Sequence, residues 1–92
     1  MKLVFRVHAI ERMFSRSISV EDVRRAVENG EMIEDYPDDK PYPSRLLLGW
    51  LGPEPLHVVI AENKPKDEVI VVTVYKPDPK IWEAGFRRRK IP

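Results

Sequence analysis

The sequence predicts an α+β fold in which two N-terminal helices pack on a three- to five-stranded, mostly antiparallel sheet. Apolar residues recur at helical spacing up to Gly30, and beyond it they fall into short runs typical of strands. Tight turns rich in glycine or proline separate these runs, which favours antiparallel pairing of consecutive strands. The 92 residues fit one domain, with a helical hairpin at 8–29, the sheet at 31–76 and a C-terminal segment with a basic tail at 77–92.

The first helix is predicted from His8 to Arg16, because Ile10, Met13 and Phe14 lie at positions i, i+3 and i+4 and share one apolar face. Before it, residues 3–7 form either a short edge strand or an extended lead-in.

The second helix begins after Ser19, which is a favourable N-cap and forms a capping box with Asp22. Gly30 is expected to end this helix in the left-handed conformation. The residues predicted to be buried on the helix are Val20, Val23, Ala26 and Val27.

Four further segments are predicted to be strands. Glu68–Tyr75 is the clearest, because it is rich in β-branched residues, and its continuous apolarity suggests a central position. The prolines of Pro37–Pro43 predict a loop, and Lys80–Gly85 is expected to form a short helical turn. The other strands are predicted at Met32–Tyr36, Ser44–Leu51 and Leu56–Ala61.

Composition excludes several classes of protein. The net charge of +1 rules out a polycation, so any nucleic-acid affinity must come from local clusters such as the basic tail of Arg87, Arg88, Arg89 and Lys90. The absence of cysteine excludes disulfides and thiolate metal sites, and agrees with a cytoplasmic location. We find neither a signal peptide nor an apolar run long enough to span a membrane.

The first predicted helix also carries His8, Arg12 and Arg16 at i, i+4 and i+8, on a side away from most of its apolar stripe. Such a basic ridge could hold phosphates, with a histidine available for proton transfer. The alternative interpretation is an ordinary polar helix face.

His57 lies on a predicted strand with apolar neighbours on both faces, so it is either a satisfied structural residue or a general acid or base. Arg45 opens the preceding strand, and whether it meets His57 depends on the strand register. Tyr75 could stack on a base or donate a hydrogen bond, or simply plug a sheet edge.

Metal and cofactor chemistry have no recognisable motif here: HExxH, CxxC, an EF-hand loop and a glycine-rich phosphate loop are all missing from the sequence. We therefore expect no metal and no cofactor. What remains is a set of basic and aromatic residues, and metal-free RNA cleavage needs a base, cations and an acid of this kind. The set consists of His8, Arg12, Arg45, His57 and Tyr75.

The chain from His8 to Trp82 resembles the family called domain of unknown function 4258. The motifs that carry the resemblance are His8 with Arg12, Arg16 before Ile18-Ser19, Tyr42-Pro43-Ser44, Leu56-His57-Val58, and Thr73-Val74-Tyr75 with Trp82. One departure is Ser17, where members of the family commonly have glycine. The resemblance implies a distant relationship to RelE/ParE-like toxins and an antitoxin partner of zinc-finger type.

Two functional hypotheses follow. The first is a metal-independent endoribonuclease toxin that cleaves RNA, with catalytic residues His57, His8, Arg45 and Tyr75. Its phosphate contacts would be Arg12, Arg16, Arg87, Arg88 and Arg89. The alternative is a non-catalytic module that binds protein or nucleic acid through the ridge or the tail, with structural histidines. A third possibility is an interaction domain whose sheet edge pairs with another chain, either a second copy, which would give a homodimer, or an antitoxin.

Overall fold

The computed structural model describes residues 1–91, so Pro92, the last residue of the predicted C-terminal segment, lies outside the described residues. Two helices pack against a five-stranded mixed sheet, which is an α+β fold. The elements in chain order are β1 (Lys2–Phe5), α1 (Val7–Ser15), α2 (Val20–Asn29), β2 (Glu31–Tyr36), β3 (Ser44–Leu51), β4 (Glu54–Asn63), a 3-10 turn (Lys64–Lys66) and β5 (Glu68–Tyr75).

The strand order is β1-β5-β4-β3-β2. The pairs β2–β3, β3–β4 and β4–β5 are antiparallel, whereas β1 pairs parallel with β5. The lead-in segment is therefore an edge strand. The predicted central strand, β5, is interior, but β4 occupies the middle of the sheet.

Both helices cover the same face of the sheet, which we call the helix-covered face. Helix α1 packs on β5, and α2 packs on β3 and β4. The core between these layers contains Ala9, Met13, Ile18, Val23 and Ala26 from the helical part, with Leu47, Leu56, Val58, Ile60, Val71 and Val74 from the sheet. Side chains alternate along each strand, so Leu46, Leu48 and His57 lie on the opposite side, which we call the second face.

The capping box of α2 is confirmed. The Ser19 hydroxyl accepts from the backbone N–H of Asp22, and the Asp22 carboxylate accepts from the backbone N–H of Ser19, both at 3.0 Å. The left-handed conformation predicted for Gly30 is wrong, because its φ is −71°. Glycine is instead suited to close approach here: an added Cβ would lie 2.3 Å from the Ala26 carbonyl oxygen and 2.9 Å from that of Leu48.

The predicted apolar face of α1 is wrong in part. Met13 is buried as expected, but its partner on the buried face is Ala9, whereas Ile10 is 51% exposed and Phe14 is 90% exposed. The small side chain of Ala9 lets the helix approach β5 closely, so only a narrow stripe at i and i+4 is covered. Val20, predicted to be buried on α2, is likewise 49% exposed.

The turn between the helices passes through Ser17, whose φ of +55° is left-handed. The backbone N–H of Ile18 donates to the Met13 carbonyl at 2.9 Å, which closes the end of α1. Glycine adopts this conformation without strain, whereas Ser17 holds it with a side chain in place.

The helical turn predicted at Lys80–Gly85 is wrong in position, because a single turn closes over residues 78–82 instead. The N–H groups of Ile81 and Trp82 both donate to the Asp78 carbonyl, and the chain then folds back so that Trp82 bridges Arg89. Positive φ values at Gly85 (+88°) and Phe86 (+60°) stop a helix from continuing. Residues 77–91 form a non-helical segment, called below the C-terminal strap.

Candidate functional site

His57 lies at the centre of the sheet, on the second face of β4. Its neighbours across the ladder are Leu48 on β3 and Tyr75 on β5. The residue is 0% exposed, because the C-terminal strap covers it. The structure therefore favours the interpretation of His57 as an enclosed residue of the sheet.

Both nitrogens of the His57 ring have partners. Nε2 lies 2.9 Å from the Phe86 carbonyl oxygen, and Nδ1 lies 3.2 Å from the Tyr75 hydroxyl. A carbonyl can only accept, so Nε2 carries the proton and Nδ1 accepts from the tyrosine. This arrangement satisfies a neutral imidazole of one defined tautomer.

Aromatic rings surround the imidazole. The Trp82 ring meets it edge-on with centroids 4.5 Å apart, and the Tyr75 ring does so at 5.2 Å. Burial lowers the pKa of His57, and the nearby Arg89 lowers it further, while the Phe86 carbonyl and Glu34 act in the opposite direction. Burial also raises the pKa of the Tyr75 hydroxyl. At neutral pH the pair is uncharged.

The C-terminal strap is fastened to β2 by two arginines of the predicted basic tail. Arg87 Nε donates to both carboxylate oxygens of Glu31, at 2.8 and 3.0 Å, and Arg89 Nη1 donates to Glu34 at 2.8 Å. The guanidinium of Arg89 also lies 4.8 Å from the centre of the Trp82 ring, within cation–π distance.

The pairing of Arg87 with Glu31 shifts both groups: the hydrogen bond lowers the pKa of the Glu31 carboxyl and raises that of Arg87. Of the three arginines predicted to contact phosphate from the tail, two are thus engaged with the chain's own glutamates. Arg88 is exposed, and its carbonyl accepts from the Glu83 N–H at 2.8 Å.

Arg45 does not meet His57. It pairs with Ile60 in the β3–β4 register, three residues from the position opposite His57, and so lies on the helix-covered face. Its guanidinium forms ion pairs with Glu62 at 2.7 Å and Asp35 at 3.9 Å.

His8, Arg12 and Arg16 are exposed on α1. Because α1 lies on the helix-covered face, the sheet separates them from His57. Within residues 1–91, none of the three forms an ion pair with a carboxylate. Of the predicted catalytic set, the structure therefore brings together only His57 and Tyr75.

Sequence reasoning missed the exposed apolar residues of α1. Val7 is 71% exposed, Ile10 51% and Phe14 90%, and their spacing at i, i+3 and i+7 aligns them along two turns. We call these three residues the apolar stripe of α1. At 3.6 residues per turn, the ridge of His8, Arg12 and Arg16 lies on the other flank of the exposed half of the helix.

The glutamates that hold the strap were missed as well. Glu31 and Glu34 are recognisable in sequence only as members of an acidic run, and nothing local pairs them with arginines more than fifty positions later. Among the described residues we find no group of three or more histidine, cysteine, aspartate or glutamate side chains placed to hold a metal ion.

Comparison with known proteins identifies the class to which this chain belongs. The family model described as "Domain of unknown function (DUF4258)" matches residues 5–76. The chain is therefore a member of that family, and the match covers both helices and most of the sheet but ends where the strap begins. No curated protein matches the chain, and no solved structure matches it. None of the helices in the part of the chain that the structure describes is long and apolar enough to cross a membrane.

Proposed function

We propose that this domain is a non-catalytic binding module that docks a partner protein through the outer surface of α1. The observation that carries the proposal is the apolar stripe, in which Val7, Ile10 and Phe14 are each at least half exposed on one flank of the helix. Exposed apolar residues scattered singly are ordinary, but three aligned over two turns are the anchors by which helices dock in a partner's groove.

The chemistry of the partner follows from the rest of α1. The ridge of His8, Arg12 and Arg16 carries two arginines that are not paired with any carboxylate of residues 1–91. A chain that covers the exposed half of α1 would meet apolar side chains on one flank and cations on the other. The best partner is therefore an amphipathic protein segment with acidic residues, and an antitoxin-type protein, as the family resemblance implies, is a candidate.

The experiment begins with affinity capture of a partner by the wild-type domain, followed by reconstitution of the purified pair. Burying one large apolar side chain stabilises an interface by about 1.5–3 kcal/mol, so Phe14→Ala should weaken binding at least roughly tenfold. Trp50→Ala is the matched control, because Trp50 is also about half exposed (49%) but lies on β3.

Three outcomes would refute the proposal. One is equal binding by the Phe14→Ala and wild-type domains. Another is a nucleic-acid partner whose binding weakens steeply with salt and depends on Arg12 and Arg16 alone. The third is a concentration-dependent homodimer that Phe14→Ala dissociates.

Metal-independent RNA cleavage stays a prediction and the second candidate function. It is favoured by one contact, the hydrogen bond between His57 and Tyr75, which could supply an acid and a base if the C-terminal strap moved away. The test is cleavage of a labelled RNA in the presence of chelator, by wild-type protein and by His57→Ala. Cleavage that survives His57→Ala, or no cleavage with or without ribosomes, would exclude this role.

A cytoplasmic location belongs to the same proposal, and it is supported by the absence of cysteine from the sequence.

A further inference from the structure

A cavity of about 270 Å³ opens on the second face of the sheet, around the paired residues Ser44 and Ala61. It lies between the loop that follows β2 and the strands β3, β4 and β5. Its apolar lining comes from Val59, Ala61 and Val72, and its polar or ring-bearing lining comes from Arg6, Asp39, Lys40, Pro41, Tyr42 and Ser44.

The loop that forms the outer wall is fixed by two buried polar residues. The hydroxyl of Ser44, which is 6% exposed, donates to the Asp39 carboxylate. The side-chain amide of Asn63, which is 7% exposed, donates to the Tyr42 hydroxyl at 3.2 Å. The Tyr42 ring is therefore held at the wall before any ligand arrives, which reduces the entropy lost on binding.

Two cations stand at the rim. Arg6 and Lys40 are both exposed, and neither forms an ion pair with another of residues 1–91. Asp39 lines the cavity and uses Oδ2 to accept from Ser44, so Oδ1 remains as an acceptor. The cavity thus combines an apolar floor, an aromatic wall, two cations and one hydrogen-bond acceptor.

We propose that this cavity binds a nucleoside monophosphate. The phosphate, with a charge of about −1.5 to −2 at pH 7, fits between the two cations, Arg6 and Lys40. The flat base lies against the Tyr42 ring above the apolar floor, and a ribose hydroxyl donates to Asp39. The volume of about 270 Å³ lies just below the usual range for ligand sites, roughly 300–1,000 Å³, so the cavity takes at most one nucleotide, either free or at the end of an RNA chain.

This site is independent of the α1 surface, because it lies on the other face of the sheet and shares none of the residues of the apolar stripe. Each proposal can therefore fail without the other.

The test is an NMR titration of the full chain with adenosine monophosphate, followed through backbone amide shifts. Saturable shifts are expected at the loop and at the neighbouring positions of β3–β5. Adenosine and inorganic phosphate, added separately, should each bind roughly tenfold more weakly than the monophosphate, because each lacks part of the contacts.

Variants locate the site. Arg6→Gln and Lys40→Gln should each weaken binding of adenosine monophosphate roughly tenfold, the usual effect of losing one charge-assisted contact. Lys64→Gln removes an exposed lysine from the 3-10 turn and should change nothing. Tyr42→Phe keeps the ring and should retain most of the affinity, whereas Tyr42→Leu should lose it with the amide spectrum still that of a folded protein.

A short RNA with a 5′-phosphate distinguishes the two sources of the ligand. If the RNA binds more tightly than the mononucleotide and shifts the same residues, the natural ligand of the cavity is an RNA terminus. Binding of the mononucleotide alone assigns the cavity to a free nucleotide. The proposal is overturned if adenosine monophosphate gives no saturable shifts, gives shifts away from the loop, or binds Arg6→Gln and Lys40→Gln as tightly as wild type.

Discussion

Lowering the pH from 7.5 to 5.5 should destabilise this domain through His57. The ring is 0% exposed and is held neutral, with Nδ1 accepting from Tyr75 and Nε2 donating to Phe86. Protonation places a charge among Tyr75 and Trp82 and turns Nδ1 into a donor, so the Tyr75 hydroxyl must give up its acceptor. Of the charged groups around the ring, Arg89 opposes protonation and Glu34 favours it.

The sign of the effect follows from the lowered pKa of His57. An unfolded chain takes up the proton near its ordinary pKa of about 6.5, whereas the folded protein takes it up only at lower pH. Below about pH 6.5 the unfolded state therefore binds more protons, and the free energy of unfolding falls as the pH falls towards the folded pKa. One proton limits the slope to about 1.4 kcal/mol per pH unit.

The assay is urea unfolding at half-unit pH steps between 7.5 and 5.5, followed by circular dichroism. Thermal unfolding of the same samples gives a second readout, because a loss of 1 kcal/mol should lower Tm by roughly 4–8 °C in a domain of this size. His57→Gln is expected to be less stable than wild type at pH 7.5 and to show a flatter pH dependence. His8→Gln, at an exposed site on α1, is the control and should keep the wild-type slope. Glu31, whose pKa Arg87 lowers, titrates below this window.

If wild type and His57→Gln lost stability in parallel over this range, protonation of His57 would not be the cause. The same conclusion would follow if wild-type stability stayed constant between pH 6.5 and 5.5.

Two comparisons of stability test the packing on the helix-covered face, both by urea unfolding. Met13→Ala should lower the free energy of unfolding by about 2–5 kcal/mol, because Met13 is 6% exposed. Phe14→Ala should change the free energy of unfolding by less than about 0.5 kcal/mol. A larger loss would mean that Phe14 is buried. Gly49→Ala should cost roughly 1–3 kcal/mol, since the added Cβ would lie 2.7 Å from that of Ala26. Gly52→Asn is the tolerated control, because asparagine accepts a positive φ and nothing lies within 4 Å of an added Cβ at Gly52. Equal losses of stability in the two variants would contradict the close contact between Gly49 and Ala26.

Local signals explain why much of the fold is predictable. The capping box of Ser19 and Asp22 involves residues three positions apart, so its physics is contained in one stretch of sequence. The β-branched content of β4 and β5 and the apolar run of β3 mark these strands in the same way. His57 between apolar neighbours signals enclosure, although not what encloses it.

Long-range pairing explains what the sequence leaves open. Arg45 and His57 lie on adjacent strands, but a shift of one residue in register would exchange the faces of a whole strand. The register that formed puts them on opposite faces. The contact between α1 and β5 decides which side of the helix is buried. At this contact the small Ala9 is covered, whereas the large Phe14 remains exposed.

The sequence by itself determined the α+β class, most element boundaries and the residue types available for binding, because propensity, capping and periodicity act over a few residues. Only the tertiary structure decided the parallel pairing of β1, the closure of the strap over His57 and the exposure of the apolar stripe. These depend on contacts between distant segments, such as Arg89 with Glu34, fifty-five positions apart. Their free energies depend on burial and geometry that no local pattern specifies.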